Sequence, residues 1–214
     1  MSNNSSRPRR RGLLLVISSP SGAGKTSLSK RLVESFEDLH LSISATTRAP
    51  RPGEQNGREY WFVDQAEFQA MIDRGEFLEW AEVHEHAYGS PKDAVMKLLR
   101  EGRDVLFDID WQGADAVARA APEDTVRIFI LPPSMTALAD RLRTRAQDSE
   151  SVISRRLSRA KEEIGHWRNY DYVMVNDVFD DTFEQLSRIY LAEKSKRQRN
   201  IWLDTFVADL LREP

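Results

Sequence analysis

Residues 19–27, SPSGAGKTS, carry the clearest chemical pattern in the sequence. They follow the apolar run 12–18 (GLLLVIS) and precede an amphipathic helical pattern, which is the context of a phosphate-binding loop. Small residues let consecutive backbone N–H groups surround a phosphate, and the N-terminus of the next helix favours the same negative charge. Lys25 would reach the outer phosphates, and the hydroxyl of Thr26 would meet a bound Mg²⁺. The pattern predicts a nucleoside triphosphate site, with Ser19 in place of the usual first glycine.

A second charged stretch, residues 44–60 (SATTRAPRPGEQNGREY), contains three arginines and two prolines. The prolines exclude an ordinary helix interior, and the stretch has too few apolar residues for a core strand. An ordered loop with several arginines suits a bound anion, because guanidinium groups donate planar, charge-assisted hydrogen bonds. A solvated basic loop is the alternative that these residues alone leave open.

The surrounding elements alternate between short apolar strands and amphipathic helices. Each strand-like run is continuously apolar, as in strands that are covered on both faces, and the runs are 12–18, 104–110, 125–131 and 172–176. Helical patterns follow the first, third and fourth runs, so the sequence predicts a parallel sheet with helices on both sides. Two segments interrupt this alternation, one over about 40–100 and an arginine-rich helical one over about 134–165.

Two helices are predicted within the first interruption. Asp64 is a suitable N-cap for a helix over 65–74, with Glu67 as its capping-box partner. Ser90 is similarly placed before a helix that ends at Gly102.

The composition excludes several classes of protein. Of the 214 residues, 31 are Lys or Arg, 34 are Asp or Glu and none is Cys. This charge balance argues against a nucleic-acid partner, and the lack of cysteine excludes a disulfide scaffold or a thiolate metal site. No apolar run approaches the roughly 20 residues that span a bilayer, so we expect a cytoplasmic protein without a membrane partner. Residues 1–11 lack an apolar segment of their own and are predicted to be a disordered leader.

Five sequence blocks occur in a specific order: SGAGKTS, SATTRAPRPGEQNGREYWF, GEFLEWAEVHEHAYGS, DIDWQGA and RLRTRAQDSESVISRRL. With this set, nearly the whole chain after the leader closely resembles the bacterial guanylate kinases. The resemblance implies an α/β fold of the P-loop class, a three-layer sandwich with a parallel core sheet, an inserted GMP-binding subdomain and a helical lid. It implies the reaction ATP + GMP → ADP + GDP, with Mg²⁺ accompanying ATP and dGMP as a further acceptor.

The same resemblance divides the chain into segments. They are the leader 1–11, the P-loop part of the core 12–39, the GMP-binding insert 40–100, a second part of the core 101–133, the lid 134–165, and the remaining core with C-terminal helices 166–214. The apolar residues of the last segment, among them Ile201, Phe206 and Leu210, would pack on the core or on a second copy, so a homo-oligomer is left open.

The resemblance also implies roles for individual residues. The ATP site would comprise Ser19, Pro20, Ser21, Gly22, Ala23, Gly24, Lys25, Thr26 and Ser27, with Asn176 near the adenine. The GMP phosphate would be held by Ser44, Arg48, Arg51 and Tyr60, and the guanosine side would involve Glu79, Tyr88, Ser90 and Asp110. The catalytic residues would be Lys25, Arg48, Arg141, Arg145 and Arg156, and the metal-binding residue would be Thr26. Asp108 is a hypothetical Mg²⁺ partner through water, and Arg58 is expected to be solvated surface.

The assignment of Glu79 has a physical basis. Guanine presents an N1–H and a 2-amino group side by side, and a carboxylate can accept hydrogen bonds from both. Adenine has no such pair on that edge, so a buried carboxylate would favour GMP and reject AMP.

Two other functions remain open from the sequence. Ribose-bisphosphate phosphokinases share the fold and the P-loop, but they have no need of a guanine-binding carboxylate and serine. The guanylate-kinase-like interaction modules of scaffold proteins use the same insert without catalysis, but their P-loops are damaged, whereas Lys25 and Thr26 are present here.

Overall fold

The computed structural model describes residues 10–83, 85–145 and 150–213, and for Val83 and Arg145 it describes the backbone only. The strands are β1 (Leu14–Ser18), β2 (Leu39–Leu41), β3 (Ala45–Thr46), β4 (Trp61–Phe62), β5 (Phe77–Val83), β6 (His86–Pro91), β7 (Asp104–Asp108), β8 (Thr125–Leu131) and β9 (Tyr172–Val175). The helices are α1 (Lys25–Ser35), α2 (Gln65–Asp73), α3 (Lys92–Arg100), α4 (Trp111–Ala120), α5 (Met135–Arg145), α6 (Glu150–Gly165), α7 (Phe179–Ser195) and α8 (Trp202–Leu210).

The core is a parallel sheet whose strands run in the order β2-β7-β1-β8-β9. Successive residues of β1 point to opposite faces, and both faces are covered. Leu15 and Ile17 pack in an apolar cluster with residues of α1 and α7, whereas Leu14 and Val16 pack with residues of α3 and α4. The predicted α/β sandwich with a parallel core sheet is therefore confirmed. None of the described helices is both long enough and apolar enough to cross a membrane.

The insert forms a second, mixed sheet in the order β4-β3-β6-β5, with α2 packed on it through Phe68. The predicted start of α2 is confirmed, because the side chain of Asp64 accepts a hydrogen bond from the Glu67 amide at 2.8 Å. The predicted cap of α3 is wrong. Ser90 lies within β6, and α3 begins at Lys92, because the Ser90 hydroxyl donates to Glu79 across the sheet instead of capping a helix.

The end of the predicted leader is folded. Arg10 donates two hydrogen bonds, of 2.8 and 2.7 Å, to the carboxylate of Asp104, which is fully buried. Arg11 pairs in the same bidentate way with Asp124. The Asp104 carboxylate also accepts a 2.6 Å hydrogen bond from Tyr190, so it joins the start of the described chain to α7. Arg10 and Arg11, the last two residues of the predicted leader 1–11, are thus bound to the core, and residues 1–9 lie outside the described part of the chain.

Candidate active site

The P-loop connects the end of β1 to the start of α1, as the motif predicts. Gly22 and Gly24 have φ angles of 96° and 102°, in the left-handed region that favours glycine. Ser19 is not among the described residues with positive φ, so a serine fits the first motif position without backbone strain. Because α1 begins at Lys25, the loop leads directly into the N-terminus of a helix, where free N–H groups attract anions.

Lys25 is held by the neighbouring strand β7. Its Nζ forms an ion pair with Asp108 and donates a 3.2 Å hydrogen bond to the carbonyl of Ile109. Parallel pairing of β1 with β7 sets Ile17 beside Asp108, so the loop after one strand meets the carboxylate at the end of the next. This edge is where parallel α/β sheets bind ligands.

A cavity of about 250 Å³ lies between the core and the insert. The core contributes Lys25 and the two carboxylates at and after the end of β7, and the insert contributes hydroxyls and one more carboxylate. The lining residues that the sequence singled out are Lys25, Ser44, Tyr60, Glu79, Tyr88, Asp108 and Asp110. The cavity therefore has a cation beside the P-loop at the core and buried polar groups in the insert.

Glu79 is the buried carboxylate of this cavity, with an exposed fraction of 8%. Pairing of β5 with β6 places Ser90 directly opposite, and the Ser90 hydroxyl donates a 2.6 Å hydrogen bond to Oε1 of Glu79. Burial raises the pKa of Glu79, and the hydrogen bond from Ser90 opposes that shift. The other oxygen, Oε2, faces Gly113 of α4, where a Cβ would lie 3.5 Å from it and 3.0 Å from the Ile109 side chain. A glycine here lets α4 form the wall of the cavity.

Arg48 lies beside the aromatic end of the cavity, with its guanidinium 5.3 Å from the centre of the Tyr60 ring. Its Nη2 donates to both carboxylate oxygens of Glu54, at 2.9 and 3.0 Å. The Arg51 amide donates to the same carboxylate at 2.7 Å. These hydrogen bonds raise the pKa of Arg48 and lower that of Glu54. The Glu54 carboxylate thus holds the guanidinium of Arg48 in a fixed position.

Glu54 is not among the residues that the sequence singled out, although a carboxylate that closes the turn RAPRPGE is a visible signal. The side chain of Arg51 is exposed and is not part of the described cavity lining, so only some of the predicted phosphate ligands are assembled. Arg58 is exposed as expected, and it donates to Glu59 and to the Gly53 carbonyl.

The two lid helices α5 and α6 lie against the P-loop. Arg156 donates a 2.7 Å hydrogen bond to the hydroxyl of Ser21, and Arg141 donates a 3.0 Å hydrogen bond to the backbone carbonyl of Asn176. A Cβ on Gly22 would lie 3.1 Å from the side chains of Leu138 and Leu142, so glycine permits this close packing. The side chain of Arg145, the third predicted lid arginine, lies outside the described part of the structure.

Two further residues near the site, one in α6 and one just after it, carried no sequence signal. Burial raises the pKa of Glu163, and hydrogen bonding from the Ser21 backbone and the charge of Lys25 oppose that shift. His166, just after α6, stacks on Trp111 at the start of α4, with ring centres 3.7 Å apart and planes within 8°. Helix α6 and the residue that follows it are thus joined both to the P-loop and to α4, the helix that borders Glu79.

Comparison with known families identifies this arrangement. The family model for guanylate kinase matches residues 11–193. The chain belongs to the guanylate kinase family. A guanylate kinase of Maricaulis maris is 56% identical over 97% of this chain and 95% of its own length, and one of Caulobacter vibrioides is 55% identical over 98% and 99%. The crystal structure of guanylate kinase from Anaplasma phagocytophilum superposes with a TM-score of 0.72 at 38% identity, covering 89% of this chain and 90% of the other.

Family membership decides between the functions that the sequence left open. Guanylate kinases are ATP:GMP phosphotransferases, so the chain is a nucleotide-binding transferase of that class. The relatives that match over nearly their whole length carry the name of the kinase, and none of those compared above is a sugar-phosphate kinase or a scaffold module.

The residues around the P-loop fit a metal ion that arrives with a nucleotide. Mg²⁺ prefers oxygen ligands and in such sites is bound by one or two protein groups together with phosphates. Thr26 offers an exposed hydroxyl in the first turn of α1, and Asp108 offers a carboxylate nearby. The described residues contain no group of three or more His, Asp or Glu side chains suited to a metal, and a metal shared with phosphates requires none.

Proposed function

We propose that this chain transfers the γ-phosphoryl group of ATP to GMP in the cavity between the core sheet and the insert. The observation that carries the proposal is the pairing of two sites in one cavity. Lys25 and the P-loop lie at the core, and the buried Glu79–Ser90 pair lies in the insert. The first is suited to the triphosphate of the donor, and the second to the guanine of the acceptor.

In the acceptor site, Glu79 would accept hydrogen bonds from the N1–H and the 2-amino group of guanine. Ser90 already occupies Oε1 of Glu79 with a donated hydrogen bond, so Oε2 is the oxygen with the greater freedom to accept from the base. Burial makes each of these hydrogen bonds decisive, because a base that lacks the donors leaves the carboxylate unpaired. Tyr88 and Asp110 line the same cavity and would complete the nucleoside site.

The phosphate of GMP would be bound at the Tyr60 end of the cavity. Ser44 and Tyr60 offer hydroxyl donors there, and Arg48 offers a guanidinium that already binds a carboxylate in the same planar manner. Arg51 would reach this phosphate only after its exposed side chain turns inward. Closure of the insert on GMP is the kind of movement that achieves this in nucleotide kinases.

The chemical step asks the protein to align two polyanions and to neutralise the migrating group. The phosphate of GMP is a nucleophile at neutral pH, so no general base is required. Arg156 contacts Ser21 of the P-loop, and Arg141 contacts Asn176, which is itself bonded to the loop. Both would supply positive charge together with Lys25, with Arg48 from the insert and with Arg145 from the lid. A single arginine aimed at such a transition state contributes about 10³–10⁵ in rate.

Magnesium would be bound by Thr26, with Asp108 within reach through water. When bound, Mg²⁺ would neutralise charge on the donor phosphates. In the described structure Asp108 pairs with Lys25, so binding of ATP would require Lys25 to exchange this carboxylate for phosphate oxygens.

Three finer predictions accompany the main proposal. None of the hydrogen bonds assigned above requires the ribose 2′-hydroxyl, which supports dGMP as a second acceptor. The exposed apolar side chains of Ile201, Phe206, Leu210 and Leu211 around α8 support self-association. The substrates ATP and GMP support a cytoplasmic location.

The proposal is tested by a coupled assay of ADP release with GMP, dGMP, AMP and ribose bisphosphate as acceptors. We expect turnover with GMP and dGMP, and little with AMP or the sugar phosphate. Lys25→Ala should abolish most of the turnover, whereas Lys30→Ala, which removes an exposed lysine from the same helix, should leave it unchanged. Turnover of the sugar phosphate in preference to GMP would reject the proposal.

A further inference from the structure

Asn176 contacts both the P-loop and the described part of the lid. It follows β9 at the same edge of the sheet as the P-loop, and its exposed fraction is only 4%. Its amide Nδ2 donates a 2.7 Å hydrogen bond to the carbonyl of Ala23, which is 153 residues away in the sequence. We propose that Asn176 is a positioning residue, which holds the P-loop backbone in the conformation that binds the donor triphosphate. This inference rests on the proposed function.

The contact with the loop is too close to be incidental. A Cβ placed on Gly24 would lie 2.2 Å from Nδ2 of Asn176, so the asparagine can occupy its place only because residue 24 is glycine. The φ angle of 102° at Gly24 requires the same residue for a separate reason. The P-loop glycine therefore serves both the turn itself and the asparagine that supports it.

The main chain of Asn176 is fixed on two other sides. Its N–H donates a 2.8 Å hydrogen bond to the carbonyl of Leu131 at the end of β8, so the core sheet holds it in place. Its carbonyl accepts a 3.0 Å hydrogen bond from Arg141 of the lid. A rigid strand end thus positions a loop carbonyl through its side chain and a lid arginine through its backbone.

The hydrogen bonding of the amide argues for a role beyond packing. Oδ1 of Asn176 is buried and has no hydrogen-bond partner among the described residues. Rotation of the amide would not correct this, because it would set Oδ1 against the carbonyl oxygen of Ala23. A buried polar atom without a partner is destabilising, and in native proteins such atoms are rare outside functional sites. The N–H donor of Nδ2, which points at the Ala23 carbonyl, therefore explains why this position holds an asparagine.

The inference differs from the role that the family resemblance implied, which was proximity to adenine. A residue that reads adenine would affect donors according to their base. A residue that positions the P-loop would affect every triphosphate equally, including one without a base. Inosine triphosphate, which lacks the 6-amino group of adenine, and inorganic tripolyphosphate therefore separate the two roles.

The test compares Asn176→Ala and Asn176→Asp with the unchanged chain, using ATP and inosine triphosphate as donors to GMP. Displacement of catalytic groups by about 1 Å lowers rates by up to about 10²-fold, so we expect kcat/KM to fall roughly 10- to 100-fold for both donors, with their ratio unchanged. Asn176→Asp keeps the size of the side chain but loses the N–H donor, so its kcat/KM should be lowered as much as that of Asn176→Ala. Magnesium tripolyphosphate, titrated calorimetrically without GMP, should bind more weakly by a similar factor.

The control variant is Asn200→Ala. Asn200 also donates its amide to backbone carbonyls, of Ser195 and Lys196. It follows Arg199, whose carbonyl accepts a hydrogen bond from the Arg11 amide, three residues before β1 and so at the far end of the strands from the P-loop. The Asn200→Ala substitution should leave kcat/KM for both donors unchanged. GMP binding by Asn176→Ala should also be unchanged, because the acceptor site does not contact this residue.

Several results would overturn the inference. A loss confined to ATP would assign Asn176 to the adenine base, and wild-type activity of Asn176→Asp would show that donation to Ala23 is unimportant. Equal weakening of GMP binding would indicate a general defect of the fold. Binding of tripolyphosphate needs no acceptor, so it remains informative even if the chain fails to phosphorylate GMP and the proposed function is rejected.

Discussion

Replacement of Glu79 by glutamine should separate substrate recognition from stability. The substitution preserves size, and Ser90 can continue to donate to the remaining carbonyl oxygen at the position of Oε1. The new amide N–H₂ then takes the position of Oε2 and faces the donors of guanine. One charge-assisted hydrogen bond, worth about 1.5–3 kcal/mol, is lost, and a buried donor is left unpaired at about 1–3 kcal/mol.

These contributions are not fully additive, so we expect a loss of about 2–4 kcal/mol in transition-state binding, which is roughly 30- to 1000-fold in kcat/KM for GMP. The use of ATP should be little affected, because Glu79 lies in the insert. The assay is steady-state ADP release at varied GMP, with Glu82→Gln as the control. Glu82 lies on the same strand but is exposed, so its substitution makes the same charge change outside the cavity.

The pH dependence provides a second test. Burial raises the pKa of Glu79, and only the ionised form accepts both guanine hydrogen bonds. KM for GMP should therefore rise as the pH falls through this elevated pKa, and the rise should be absent in Glu79→Gln. The free energy of unfolding should change in the opposite direction. Because the folded pKa of Glu79 is raised, the native state loses stability as the pH rises from the unfolded pKa through the folded pKa. At neutral pH, Glu79→Gln should thus be at least as stable as the unchanged chain. Unaltered kinetics with GMP would refute the base-recognition argument.

Three other predictions concern the lid, the phosphate site and the core. Arg141→Ala should lower kcat by about 10³-fold or more in the coupled assay. Arg143→Ala, which removes an exposed arginine from the same helix, should leave kcat unchanged, and equal effects of the two substitutions would reject the lid assignment. Arg48→Lys should raise KM for GMP roughly 10- to 100-fold, since lysine cannot donate in the same planar manner, and an unchanged KM would place the phosphate elsewhere. Asp104→Asn should lower the free energy of unfolding by about 3–5 kcal/mol in urea denaturation, because Arg10 loses its buried partner; a change below about 1 kcal/mol would contradict this.

The sequence was sufficient wherever function depends on neighbouring residues. The P-loop is a contiguous motif between a strand and a helix, and its local pattern fixes the two glycines with positive φ and the start of α1 at Lys25. The same holds for α2, whose cap and first turn lie within four residues. The apolar runs predicted four of the five parallel core strands, because both faces of such strands are buried, and they did not predict the short edge strand β2.

The sequence was insufficient where one residue could satisfy two local patterns. Ser90 fits a helix cap, but pairing of β5 with β6 sets it opposite Glu79, and its hydroxyl is used there. Arg10 fits a disordered leader, but it meets the buried Asp104, 94 residues further along the chain. Local propensity cannot choose between these outcomes, because the competing partner is distant in sequence.

The amino-acid sequence by itself therefore determined the reaction class, through the P-loop and the ordered blocks of the guanylate kinase family. Only the tertiary structure decided how the site is supported: Glu54 binding Arg48, Asp108 pairing with Lys25, and Asn176 holding the carbonyl of Ala23. The physical reason is that hydrogen bonds and ion pairs depend on distance in space, which strand pairing and helix packing set only after the chain has folded.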